Sequence, residues 1–87
     1  MSVNENRPIL TDHQTELLFS VASGKTEKEI ATDKRRSIQT IKNTLGLVYR
    51  RLEAKNKTHA VVIGISLGIL NLNEIPIVPK RTKSSGR

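Results

Sequence analysis

Residues 26–52 read TEKEIATDKRRSIQTIKNTLGLVYRRL, and this stretch decides the fold. It parses into a short helix, a tight turn and a second helix. In the second helix Ile38, Ile41, Leu45, Val48 and Leu52 recur at steps of three and four, one stripe of an α-helix. The opposite face carries Gln39, Lys42, Asn43 and Arg50 and is short of bulky apolar groups. A helix built this way can be held by a core on one side and press hydrogen-bond donors into a groove on the other.

The helical reading extends upstream and downstream. Thr11 is a good N-cap for a first helix, with Gln14 three residues on as its capping-box partner. Leu10 staples back on that helix, Leu17, Leu18, Val21 and Ala22 form its inward face, and Gly24 ends it as a left-handed residue. Thr26 and Glu29 repeat the capping box for a second helix, with Ile30 and Ala31 pointing inward. Asp33 to Arg36 form the turn, and Ser37 caps the third helix, which runs from about Ile38 to Leu52. Glu53 to Asn56 is a polar connector. A fourth helix is expected from about Lys57 to Leu70, with Asn71 and Asn73 marking its end. No strand pattern and no internal repeat is present.

The resulting layout is an all-α, four-helix domain over residues 10–70. An arm precedes it at residues 1–9, where Pro8 discourages an early helix. An extended, mobile basic tail follows at 71–87, with Ile75, Ile77 and Val78 able to tack onto the core.

Composition narrows the function. Eighty-seven residues make one domain at most. The chain has no cysteine, so disulfides and thiol chemistry are excluded, and His13 and His59 lie in different segments without carboxylates at ligand spacing. No metal, cofactor or enzyme constellation is therefore expected. With one Phe and one Tyr, the chain is poorly equipped to stack single-stranded bases. The apolar run AVVIGISLGIL (residues 60–70) is too short to span a bilayer, which needs about 20 residues. The N-terminus shows no signal peptide, so a cytoplasmic, membrane-free protein is expected.

Net charge is +7, and its placement matters more than its size. Residues 1–33 hold three basic and six acidic side chains, 34–57 eight basic and one acidic, and 58–87 four basic and one acidic. A bare Lys/Arg excess is often only a solvated face. Coincidence with an amphipathic helix points instead to a polyanion.

Taken in order, LTDHQTELL, ASGKTEKEIA, SIQTIKN, RRLEAKNKTHAV and SLGIL resemble the LuxR/GerE-type helix-turn-helix domain over about 60 of the 87 residues. Matching positions are Leu10, Thr11, Gly24, Thr26, Lys28, Glu29, Ile30, Ala31, Ser37, Thr40, Ile41, Lys42, Arg51, Leu52, Lys57, Thr58 and Ala60. The chain departs from that pattern at Lys34 and Arg36, where the family has apolar turn residues. It departs again at Thr44, often His, and at Gly46, where related domains often place a third base-reading side chain.

The resemblance implies a transcription regulator that binds double-stranded DNA as a homodimer, with the third helix in the major groove and the fourth pairing two copies. With nine residues before Leu10, a stand-alone domain without a receiver or ligand-binding module is expected. Gln39, Lys42 and Asn43 are the base-reading candidates. Thr26, Lys28, Thr40, Arg50, Arg51, Lys55 and Lys57 are candidates for the DNA backbone, each also readable as an ordinary surface group. On the fourth helix Ala60, Val61, Gly64 and Leu67 suffice for the core. This leaves Val62, Ile65 and Ile69 as an exposed apolar set for a dimer interface. Alternatively that set pairs with a larger LuxR-type regulator and modulates it, or contacts RNA polymerase. A basic DNA coater without sequence preference is a third reading.

Overall fold

The structure is a computed structural model and describes residues 9–76. Four helices follow in order: α1 (Asp12–Ala22), α2 (Glu27–Lys34), α3 (Ile38–Arg51) and α4 (Lys57–Ser66), then a short 3₁₀ turn at Leu72–Glu74. The expected tail residues Ile77 and Val78, the basic end and most of the 1–9 arm lie outside the described residues. No helix among the described residues is long and apolar enough to cross a membrane.

Each helix starts where its first side chain can satisfy free N–H groups. Thr11 accepts from the Gln14 N–H while the Gln14 side chain accepts from the Thr11 N–H; Thr26 and Glu29 do the same. Ser37 Oγ caps α3 by accepting from the Thr40 N–H, and Asn56 Oδ1 caps α4 by accepting from the His59 N–H.

Each helix stops at a left-handed residue: Gly24, Arg35, Glu53 and Gly68. After α1, α2 and α3 the same paired bonds close the end, as in Lys25 N–H to Ser20 O and Gly24 N–H to Val21 O. Two of the four stops are not glycine. Arg35 (φ 58°) and Glu53 (φ 57°) hold a conformation that L-residues adopt at some cost.

The core is two clusters divided by α1. Leu17 and Leu18 are adjacent, so their side chains leave the helix about 100° apart and serve different sides. Leu17 joins Ile30, Ala31, Ile41 and Leu45 between α1, α2 and α3. Leu18 joins Leu10, Val48, Leu52, Ala60, Leu70 and Ile75 between α1, α3 and α4. Tyr49 packs against both. Burial, with a smaller push from the Glu27 carboxylate, raises its phenol above the usual tyrosine value.

Three expectations about apolar positions are corrected. Ile38 is 40% exposed, because it opens α3 one turn before the stretch that packs on α1 and α2. Leu67, expected in the core, is 55% exposed. The reason is that α4 stops at Ser66 and not near Leu70. Gly68 (φ 81°) turns the chain back, Leu70 N–H bonds to Gly64 O, and Leu70 takes the buried place. A methyl group at Gly64 would sit 3.0 Å from Leu18 Cδ2 and 3.1 Å from Leu70 Cδ1, so glycine there lets α1 and the returning chain close on α4. Finally, Ile65 and Ile69 are half-buried against the second cluster rather than left over, and only Val62 of that set is largely exposed, at 57%.

Candidate nucleic-acid interface

The helix pair α2–α3 presents the surface in question. α2 packs on α3, and both rest on α1. Ile41, Leu45 and Val48 are fully buried, so the rotation of α3 about its axis is fixed and its opposite face must point outward. Gln39, Lys42, Asn43 and Arg50 are all exposed on that outward side.

These side chains are ordered by one another and by neighbours. Gln39 Nε2 donates to Asn43 Oδ1 at 2.9 Å, one helical turn apart. Lys42 Nζ lies 3.5 Å from Glu27 Oε1 on the first turn of α2. The guanidinium of Arg50 folds toward the N-terminus of α3, with Nη1 3.8 Å from the point a side chain at Gly46 would occupy.

The backbone-contact candidates do not form one uniform set. Lys28, Lys55 and Lys57 are exposed. Thr26 is exposed; its Oγ1 accepts from the Glu29 N–H as the α2 cap, which leaves the hydroxyl proton free to donate. Thr40 Oγ1 accepts from Ser37 Oγ at 2.9 Å at the start of α3. Arg51 points away from Arg50 and donates from Nη1 to the Ile9 carbonyl at 3.2 Å, which ties the entry to α1 onto the end of α3. Lys34, which departs from the apolar turn pattern, reaches Glu16 Oε1 on α1 at 2.9 Å. Its ammonium thus meets a carboxylate, while Arg36 stays exposed. That hydrogen bond, and then the charge, hold the Glu16 carboxyl below its ordinary value. Lys25, in the turn that follows α1, is likewise paired with Asp33 near the end of α2.

Two residues on this face were not singled out from the sequence. Leu47 is 36% exposed beside Asn43, off the 41/45/48 spacing of the core stripe; that offset is its signal. Glu27 was legible only as a favourable acid in the first turn of α2. Its proximity to Lys42 depends on how the two helices cross. His59, idle in the sequence reading, accepts from the Lys55 N–H through Nδ1 at 3.0 Å and so fixes the α3–α4 connector.

The outward face is thus a hydrogen-bonded amide pair and a lysine, flanked by cations and mounted on a helix that the core cannot release. The family described as "Bacterial regulatory proteins, luxR family" matches residues 8–63. The transcriptional regulatory protein YdfI of Bacillus subtilis is 34% identical over 84% of this chain and 34% of its own length. The transcriptional activator protein AhyR of Aeromonas hydrophila is 36% identical over 88% of this chain and 31% of its own. The chain therefore spans about a third of the length of these two relatives. The spore germination protein GerE of Bacillus subtilis is 31% identical over 78% of this chain, and there the match covers 92% of the relative. No solved structure matches the chain significantly. The family is one of regulators, not enzymes, and on the family match and the near-complete cover of GerE this chain belongs to the LuxR family of bacterial regulatory proteins.

Proposed function

We propose that the protein binds duplex DNA as a sequence-reading transcription regulator, with α3 in the major groove. The observation that carries this reading is the exposed face of Gln39, Lys42 and Asn43 on a helix whose other face is fully buried. An α-helix fits the major groove, where lysine suits guanine O6 and N7, and amide side chains suit adenine N6 and N7. Lys28, Lys55, Lys57 and the hydroxyl of Thr40, all exposed, would meet the backbone, and the start of α3 favours phosphate. The likeness to a transcriptional regulatory protein, YdfI, and a transcriptional activator protein, AhyR, supports the regulatory role.

The decisive experiment is a titration of the protein on labelled duplexes across salt concentrations. If a dimer neutralises about six to ten phosphates, affinity falls by about three to five decades between 50 and 200 mM salt. Flat affinity, or no binding at any salt, sinks the reading.

The dimer would form through α4. Val62 is exposed and borders a shallow cleft lined by Val21, Ala22 and Val61, which makes the apolar surface continuous with α1. A symmetric pairing uses the same patch twice, so Val62→Glu brings two like charges together. It should give a folded monomer by sedimentation with much weaker operator binding. If wild type sediments as a monomer at high micromolar concentration and on DNA, this part is wrong. The same surface would serve pairing with a larger LuxR-type regulator. In that case the chain alone would bind no duplex.

A further inference from the structure

Gln39, Asn43, Gly46 and Arg50 follow one another at steps of four, three and four, which places them on a single stripe of α3. The stripe runs along the middle of the outward face, opposite Ile41, Leu45 and Val48. At Gly46 it has a gap, and the structure fills that gap from one turn away. Helical side chains lean toward the N-terminus, so a surface spot is covered by a residue C-terminal to it. Arg50 does this: its Nη1 lies 3.8 Å from where a Cβ on Gly46 would be. Nothing at position 46 keeps the guanidinium away from the helix surface. No ion pair among the described residues holds it. Its sequence neighbour Arg51 behaves differently, spending a donor on the Ile9 carbonyl.

We propose that Arg50, lying over Gly46, is a specificity-determining residue that reads a guanine in the major groove, not a phosphate contact. This rests on the DNA-binding reading above. Gly46 lies about 4.5 Å along the helix from Asn43, at 1.5 Å per residue. That is one to two steps of a duplex rising about 3.4 Å per base pair. The guanidinium therefore faces the base pair after the one that Asn43 faces, and its planar fork matches O6 and N7 of guanine. Gly46 acts as a positioning residue, by leaving the space open.

The test is selection of bound duplexes from a random pool by wild type, Arg50→Ala, Arg50→Gln and Gly46→Leu. Circular dichroism checks that each variant keeps its helices. Wild type is expected to select a guanine at one position by roughly five- to hundredfold. Arg50→Ala should lose preference at that position alone, and Arg50→Gln should move it toward adenine. Gly46→Leu should lose the guanine with Arg50 still present, because the added side chain takes the space the guanidinium occupies. A purely electrostatic role predicts otherwise: Arg50→Ala would return the wild-type motif with all sequences weakened alike, and that result overturns the assignment. Wild type selecting no sequence at all would instead overturn the DNA-reading function, and this assignment with it.

Discussion

Glu27 Oε1 stands 3.5 Å from Lys42 Nζ, so the first turn of α2 holds an acid beside the central lysine of the outward face of α3. Both side chains are about half exposed, and such a pair contributes little to stability, on the order of 0.2–1 kcal/mol. Its consequence lies in binding. Lys42 must leave Glu27 to reach a base, and the carboxylate that remains repels nearby phosphates. Glu27→Gln should therefore tighten binding to random duplexes by a few-fold, with thermal stability almost unchanged. Anisotropy titrations on random and selected duplexes measure this; weaker binding to both would show that Glu27 helps to present Lys42.

Lys42→Ala should relax base preference at one position of the selected motif, at a cost of about 1–3 kcal/mol on the preferred sequence. Lys57→Ala should instead weaken all sequences alike and reduce the salt slope by about one unit. An unchanged motif for Lys42→Ala would remove that residue from the base-reading set.

Two glycines within helices should respond oppositely to a side chain. At Gly46 a Cβ meets only Arg50 Nη1, at an ordinary 3.8 Å. Gly46→Ala should stabilise by about 1 kcal/mol through helix propensity, raising Tm by roughly 4–8 °C. At Gly64 the space is taken by Leu18 and Leu70. Gly64→Leu should cost about 1–3 kcal/mol by overpacking. Calorimetry on the two variants gives the signs directly.

Glu53 ends α3 at φ 57°. Glu53→Gly removes the crowding of Cβ in the left-handed conformation and should stabilise by about 1 kcal/mol in urea unfolding. A destabilised variant would mean that the Glu53 side chain supports the α3–α4 connector in some other way.

Acidification should weaken the fold through Glu16. The Lys34 hydrogen bond lowers its pKa below the ordinary 4.5, so the native state favours the ionised form. The contribution is thus present above 4.5 and is lost as pH falls through the depressed folded value. The carboxylate is exposed, so the effect is small. Urea midpoints at neutral and acid pH should converge slightly for Glu16→Gln relative to wild type, and an identical acid loss in both would rule this pair out.

Much of the architecture was legible before any coordinates. Thr11–Gln14, Thr26–Glu29 and Ser37 begin their helices as the sequence indicates, because capping is a matter of residues three apart on one chain. The buried face of α3 follows from the 41/45/48/52 spacing for the same reason: period and polarity are local. The outward placement of Gln39, Lys42 and Asn43 is then forced. Other features were settled only by packing. The end of α4 at Ser66 was hidden because AVVIGISLGIL stays largely apolar beyond it and holds two glycines, Gly64 inside the helix and Gly68 at its stop, which only packing tells apart. Leu70 wins the core place over Leu67 only once Gly68 turns the chain and Gly64 lets it approach α1. The burial of Ile65 and Ile69, the meeting of Lys34 with Glu16 and of Lys42 with Glu27, and Arg50 lying over Gly46 were equally unreadable. The first three depend on how separate elements sit against one another, and the last on which way a long side chain leans. Spacing along one chain specifies which face is buried, but not what the exposed charges on that face will find.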